Sequence, residues 1–154
     1  MEDTSSDLVV AIDLSEDGPR VTALVGAREH VVKSRGFLYH AAWVKHFREV
    51  PSHRKSSYMR RLPRRFAVLK RYLALVRIAL DVEALVRVIA SHRPSLVLVD
   101  NKLLKYVRIE GAKVVPENRV IYRHHTVLML LADNLANYFR LLLKNDPRRF
   151  VEEL

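Results

Sequence analysis

The sequence predicts an α/β fold with a mixed β-sheet: a three-stranded antiparallel meander, two further strands, and flanking helices. Two apolar runs carry this prediction. Leu8–Asp13 is continuous and rich in β-branched residues, which fits a strand buried on both faces of a sheet. Leu96–Asp100 is a second such run, and it follows a helical stretch, as a strand in parallel pairing does. Both runs end in Asp, so each predicted strand carries a carboxylate at its carboxyl end.

The first quarter of the chain is predicted to form the meander. After Leu8–Asp13, a polar turn that contains glycine and proline leads to a second strand, Val21–Val25. Another short turn begins at Gly26 and leads to a third strand, His30–Lys33. Turns this short favour antiparallel hairpins.

The middle of the chain is predicted to be helical and basic. Pro51–Ser57 is typical of a polar loop, and Pro63 fits the first turn of a helix. Arg64–Leu80 has apolar residues every three or four positions, which predicts a long helix. Asp81 can cap a further helical segment, Val82–Ser91.

The last third continues the alternation of strands and helices. We expect a short helix at Leu103–Ile109, a fifth strand at Ala112–Val115, a long helix over 123–144 and a final helix over 148–154. No repeat or linker divides the chain. The prediction is one domain over 1–154, with a basic helical insertion around 37–92.

The charge of the chain points to a polyanionic partner. The formal net charge is +10, so nucleic acid is the first candidate and an anionic membrane surface the second. No apolar run approaches the roughly 20 residues of a membrane helix. A basic amphipathic helix could lie on a membrane surface, but the helix Arg64–Leu80 is needed for the core, so we expect no membrane partner. Arg outnumbers Lys by 19 to 8 and Gln is absent, a composition that suits a thermophile. Cys is also absent, which excludes disulfides and thiolate metal sites.

The acids that end the two predicted strands, Asp13 and Asp100, suggest a metal-binding site. If the strands ending at Asp13 and Asp100 are neighbours, both carboxylates emerge at the same edge of the sheet. Carboxylate oxygens at one edge suit Mg²⁺ or Mn²⁺. A pair of such ions can activate water and stabilise the leaving oxygen in phosphodiester cleavage.

Three stretches resemble the ribonuclease H-like superfamily, with the strongest local likeness to RuvC-type Holliday-junction resolvases. Val9–Asp13 resembles the first strand of that family, and Arg93–Asp100 resembles its fourth strand, where Glu is the usual acid. Leu131–Ala136 resembles the motif of its final helix, which contributes Asp133. The resemblance implies that Asp13, Asp100 and Asp133 are catalytic ligands of Mg²⁺ or Mn²⁺. Loss of one ligand would leave the fold without catalysis.

A basic belt between Lys45 and Arg71 contains ten cations and a single acid, Glu49. Acids four residues away, which would neutralise such a helix face, are nearly absent. A field of one sign repels itself unless a polyanion relieves it, and phosphate contacts would fix position without reading sequence. We expect the nucleic-acid backbone to contact Arg54, Lys55, Arg60, Arg61, Arg64, Arg65, Lys70 and Arg71.

Three functional hypotheses follow. The first is a metal-dependent nuclease with a resolvase-like activity, and the second is a non-catalytic nucleic-acid-binding protein on a degenerate ribonuclease H-like fold. The third is an assembly subunit whose charge reflects only a thermophile surface. The acidic, polar first seven residues are unlike a signal peptide, so a cytoplasmic location is expected. Pairing of the chain into a homodimer stays open.

Two histidines are secondary candidates. His125 could assist a leaving group or bind phosphate, with an ordinary surface position as the alternative. His124 and His125 are adjacent on the predicted helix and point about 100° apart, so they do not form the zinc pair that an i, i+4 spacing gives.

Overall fold

The computed structural model describes residues 7–15 and 19–153, and side chains as far as residue 151. The strands are β1 (Leu8–Ser15), β2 (Val21–Arg28), β3 (Leu75–Ala79), β4 (Leu96–Val99) and β5 (Lys113–Pro116). The helices are α1 (Glu29–Val32), α2 (Arg35–His40), α3 (Lys55–Leu69), α4 (Val82–His92), α5 (Arg123–Asn145) and α6 (Pro147–Glu153).

The five strands form one mixed sheet in the order β3-β2-β1-β4-β5. Strand β1 pairs antiparallel with β2, and β2 pairs antiparallel with β3. On the other side, β1 pairs parallel with β4, and β4 pairs parallel with β5. The predicted fold class is therefore confirmed: three antiparallel strands are extended by two further strands. As predicted, β1 is central and buried on both faces.

Apolar cores lie on both faces of the sheet. Alternate residues of β1 point to opposite faces, so Val9 and Ala11 contribute to one core and Val10 and Ile12 to the other. The first core is closed by α2, α3 and α5. The second is closed by α4 and by the segment 103–109. This three-layer arrangement decides which helix faces each strand residue.

The third strand is not where the sequence predicted it. His30–Lys33 was expected to be a strand, but Glu29–Val32 forms the short helix α1. The third strand is Leu75–Ala79, which the apolar spacing assigned to the end of the helix Arg64–Leu80. Strand β3 lies at the edge of the sheet and only Leu75 is buried in it, so the alternation that marks a strand is weak there.

The basic helix begins earlier than predicted. Helix α3 starts at Lys55, inside the predicted loop Pro51–Ser57, and Pro63 lies in its interior. Asp81 caps α4 as predicted, because its Oδ1 accepts a hydrogen bond of 3.0 Å from the Glu83 N–H. The predicted helix Leu103–Ile109 is wrong, and only a 3-10 turn at Asn101–Leu103 is present.

Helix α5 is the longest element and crosses the first core. By length and composition alone its 23 residues could span a membrane, but most of this stretch is buried inside the fold, as in a core helix. The organisation into one domain with a basic helical insertion around 37–92 stays a prediction. The structure places β3 and α4 in that segment, together with α2 and α3.

Candidate active site

Asp13 and Asp100 lie side by side at one edge of the sheet. In the parallel pairing of β1 with β4, Ile12 is opposite Val99, and the Asp100 N–H donates to the Ile12 carbonyl oxygen at 3.1 Å. The next pair in this register is Asp13 and Asp100. Both residues point to the face covered by α5, because they continue the alternation of Ala11 and Leu98, which belong to that core.

A third strand adds an acid to the same edge. Val99 is opposite Pro116 in the pairing of β4 with β5, so Glu117 stands next to Asp100 in register. Glu117 was not predicted as a site residue, although only Pro116 separates it from the run that predicted the fifth strand. The available signal was the same as for Asp13 and Asp100: an acid that follows an apolar strand.

Asp133 reaches this edge from the helix above. Helix α5 begins at the opposite edge of the sheet, where His125 contacts Glu29 just beyond the end of β2. It then runs along the direction of β1, so a residue about ten positions into the helix arrives at the carboxyl end of β1. This path explains why Asp133 joins the acids despite its distance from the helix start.

The four acids line one open cavity of about 890 Å³. Basic side chains share its wall with them. These are His46, Arg48, Lys55, Lys102 and Arg140. The cavity therefore combines a cluster of carboxylates with a rim of cations. Asp13, Asp100 and Asp133, the three acids expected from the sequence, all lie in it.

The surroundings of Asp13 disfavour the ionised form of its carboxyl group. Burial raises the pKa of its carboxyl well above the ordinary value, and a hydrogen bond with Asp100 raises it further. Repulsion from the Asp133 carboxylate acts in the same direction, and only the Leu14 N–H, which donates to Oδ1 at 2.7 Å, opposes it. Without a cation, ionising all of these carboxyl groups together has a high free-energy cost.

Asp133 is fixed by two donors. The Phe47 N–H donates to its Oδ2 at 2.9 Å, and the Asn137 amide donates to its Oδ1 at 3.2 Å. Asn137 is held in turn, since its Oδ1 accepts from Ser15 Oγ and from the guanidinium of Arg140. Burial raises the pKa of Asp133, and the bond from Phe47 partly opposes the shift.

His46 stands between two of the acids. Its Nε2–H donates to Glu117 Oε2 at 2.8 Å, and its Nδ1 lies 3.7 Å from Asp133 Oδ2. The bond to Glu117 raises the pKa of His46, and the same bond lowers the pKa of Glu117. His46 thus lies between two of the acids and bonds to Glu117. It lies in a loop, and no local pattern in the sequence marks it.

The predicted nucleic-acid contacts divide into two groups. Lys55, Arg65 and Arg71 have partners within the chain: Lys55 lies 4.1 Å from the centre of the Phe47 ring, Arg65 packs over Trp43, and Arg71 donates to Tyr72 Oη at 2.9 Å. The others are exposed and make no ion pair with a carboxylate of the described residues. These are Arg54, Arg60, Arg61, Arg64 and Lys70.

His125 is not part of this cavity. It is buried, and it contacts Glu29 rather than the acids near Asp133. Its neighbour His124 also contacts Glu29, although the two residues follow each other on α5. Neither a role beside a leaving group nor a surface position fits His125.

No protein-family model matches the chain, and no curated protein sequence matches it significantly. Among solved structures, it is similar to the RNase HII of the PCNA:RNase HII complex from Archaeoglobus fulgidus, with a TM-score of 0.56 and 14% identity. The match covers 94% of this chain and 76% of that chain. The chain has a ribonuclease H-like fold. This likeness shows the fold alone and does not support the narrower resemblance to RuvC-type resolvases.

Proposed function

We propose that the chain is a divalent-metal-dependent nuclease that hydrolyses phosphodiester bonds of nucleic acid. One observation carries the proposal: Asp13, Asp100 and Asp133 line one cavity, at the sheet edge where two parallel strands end. The ribonuclease H-like fold of the chain supports it. We further propose that the chain acts in the cytoplasm as a single domain.

The donor set fits Mg²⁺ or Mn²⁺. Asp13, Asp100 and Asp133 offer only carboxylate oxygens, which these hard cations prefer. Burial raises the pKa of Asp13 most, and the neighbouring Asp100 and Asp133 carboxyl groups raise it further, so a cation among them would relieve both effects. A pair of ions held there would activate water and stabilise the leaving oxygen.

The basic rim provides for the substrate backbone. The first turn of α3 carries Lys55 and no acid, and Ser52, Lys55 and Ser56 line the cavity beside the carboxylates. A phosphate adjacent to the cleaved bond would meet Lys55, whose amino group the Phe47 carbonyl oxygen holds at the rim. The exposed cations farther along α3 would bind the next phosphates. Such contacts position a substrate without reading its bases.

His46 would act as a positioning residue. It holds Glu117 by a hydrogen bond and faces Asp133, so it orders two of the acids at once. In its protonated form, His46 would also limit the repulsion among the four neighbouring carboxylates. We assign it no contact with the reacting atoms.

A non-catalytic nucleic-acid-binding protein is the second candidate. The exposed cations of α3, which pair with no carboxylate in the part of the chain that the structure describes, favour it equally, because they serve binding with or without cleavage. The same lack of partners argues against a charge that serves only surface ion pairs. The two candidates differ in whether bound nucleic acid is cut.

A cleavage panel separates them. Single-stranded DNA, duplex DNA, a four-way junction and an RNA·DNA hybrid are incubated with the protein and Mg²⁺ or Mn²⁺. We expect cleavage of at least one substrate, and loss of that cleavage in Asp13→Asn and Asp100→Asn. Asp81→Asn, which keeps the cap of α4, is the matched control and should cleave like the wild type.

Each other outcome decides against part of the proposal. Tight binding of a substrate with no cleavage would favour the non-catalytic candidate. Cleavage that survives Asp13→Asn would overturn the assignment of the site. The junction and the hybrid in the same panel show whether the activity resembles a resolvase or an RNase H.

A further inference from the structure

A second group of ligand-type side chains lies outside the carboxylate cavity. Glu29 begins α1, directly after β2, and His124 and His125 lie in the first turn of α5. His124 Nε2 lies 3.1 Å from Glu29 Oε2, and His125 Nε2 lies 2.8 Å from Glu29 Oε1. One ligand atom from each residue falls within 4.8 Å of the other two.

This group is remote from the acids. The terminal pair of the β1–β2 register joins Leu8 to Arg28. Glu29 comes directly after Arg28 and therefore lies at the opposite end of the strands from Asp13. Along α5, His125 precedes Asp133 by eight residues, which is about 12 Å of helix axis. A cation bound by Glu29 would therefore be separate from the proposed magnesium site.

The imidazoles are held in place by packing. The two histidine rings meet edge to face with centroids 4.3 Å apart, and the Tyr122 ring stacks on His124 at 5.4 Å. The side chain of His125 is 8% exposed and that of His124 15%, whereas that of Glu29 is 32% exposed. Packing thus fixes the positions of the two imidazole Nε2 atoms, whereas the Glu29 carboxylate is open to solvent and to an entering ion.

The donor set suits a different metal from the carboxylate cavity. Two imidazole nitrogens and one carboxylate oxygen are ligands of Zn²⁺ and similar transition ions, while Mg²⁺ prefers oxygen alone. Three protein ligands with an open side leave room for water as a fourth ligand.

We propose that Glu29, His124 and His125 bind one divalent transition-metal ion, with Zn²⁺ as the first candidate. Each imidazole would bind through Nε2 as a neutral ring, so the Nε2–H now facing Glu29 would be lost or moved to Nδ1. The ion would join the end of β2 to the start of α5, the helix that carries Asp133.

The test is a calorimetric titration of the metal-free protein with ZnCl2 in the presence of excess Mg²⁺. The Asp13→Asn variant is used as the background, so that the carboxylate cavity does not compete. We expect one Zn²⁺ per chain, a rise in melting temperature on binding, and a visible absorption band when Co²⁺ replaces Zn²⁺.

Ligand variants localise the site. Glu29→Gln and His124→Asn should each weaken Zn²⁺ binding by about 100-fold or more, since losing a ligand costs at least as much as losing its supporting contacts. His30→Asn is the matched control, because His30 is adjacent to Glu29 but contacts Asp7 instead. It should bind Zn²⁺ like the background protein. Circular dichroism confirms that each variant is folded.

Two results would overturn the proposal. One is the absence of saturable, equimolar Zn²⁺ binding by the folded background protein. The other is binding that His30→Asn weakens as much as Glu29→Gln does, which would indicate scattered surface histidines. Neither result bears on cleavage with Mg²⁺, so the nuclease proposal is tested separately.

Discussion

Asp13 and Asp100 are neighbours in the register of the parallel strands β1 and β4, and the Asp100 carboxyl group adds to the burial that raises the pKa of Asp13. These effects favour the protonated form of the Asp13 carboxyl group, whereas a cation bound among the acids would favour its ionised form. The first two predictions follow from this competition between a proton and a cation.

Replacing Asp13 by Asn should stabilise the metal-free protein at neutral pH. The fold raises the pKa of Asp13, so the stability linked to this group is complete below the ordinary value of 3.8 and is lost as the pH rises through the folded value. An Asn side chain avoids that loss and still accepts from the Leu14 N–H. We expect about 1 kcal/mol, or ~2–4 °C in Tm, measured by thermal unfolding in EDTA.

Asp81→Asn is the control for this gain. It also removes one negative charge, but at an exposed helix cap where Asn and Asp serve equally well. It should leave Tm nearly unchanged. A Tm for Asp13→Asn at or below that of the wild type would contradict the prediction that the ionised Asp13 carboxylate destabilises the fold.

Binding of Mg²⁺ should release protons. A cation among the acids favours the ionised form of Asp13, so protons bound to its carboxyl group leave as the ion enters. Affinity for Mg²⁺ should rise with pH as this carboxyl group ionises. Calorimetry in two buffers of different ionisation enthalpy measures the released protons, and Asp13→Asn should release fewer. Equal proton release by both proteins would exclude Asp13 as the source.

The pair of His46 and Glu117 should stabilise the fold over a limited pH range. The raised pKa of His46 gives stability that is complete below 6.5 and lost as the pH rises through its folded pKa. The lowered pKa of Glu117 gives stability that is present above 4.5 and lost as the pH falls through its folded pKa. The benefit should therefore be greatest between about pH 4.5 and 6.5.

Glu117→Gln measures this benefit. We expect it to lower the free energy of unfolding by about 0.5–1 kcal/mol in that range, with a smaller loss at higher pH. Urea unfolding in EDTA at several pH values measures this difference. Glu49→Gln removes an exposed acid near His46 and is the control, with no such pH dependence. A loss for Glu117→Gln that stays constant with pH would show that His46 does not supply the charge.

Charge reversal on α3 should weaken nucleic-acid binding. Arg60 and Arg64 are exposed on the helix that begins at the cavity. Arg60→Glu/Arg64→Glu should reduce affinity by about 10-fold or more and lower the slope of log K against log salt by about 2, if each contacts one phosphate of a duplex. Fluorescence anisotropy over a salt series measures both.

A second double variant controls for net charge. Arg87→Glu/Arg108→Glu makes the same change on exposed residues beside the second core, on the other face of the sheet. It should bind nearly like the wild type. If both double variants lose affinity equally, binding follows total charge and the assigned surface on α3 is wrong.

The strands at the centre of the sheet were predictable because burial on both faces leaves a continuous apolar run. This holds for Leu8–Asp13 and for Leu96–Asp100, and it led directly to the two acids. The edge strand Leu75–Ala79 has no such run, and its spacing fits a helix as well. Pairing with β2 decides its structure, and this partner is distant in the sequence.

Helix α1 shows the same limit. Glu29–Val32 contains two valines and follows a strand, so local preference favours another strand. Its first residue instead contacts two histidines nearly one hundred positions later, on α5. His46 escaped prediction for a similar reason, since its role depends on Glu117 and Asp133. Contacts between distant segments, which no local pattern records, determine these features.

The path of α5 has a consequence for the order in which the chain becomes competent. The three candidate metal ligands are Asp13 in β1, Asp100 directly after β4 and Asp133 in α5, so ribosomes must synthesise most of the chain before the last ligand exists. Pairing between such distant segments forms late in folding. The candidate metal site is therefore incomplete while the chain is nascent or half-folded.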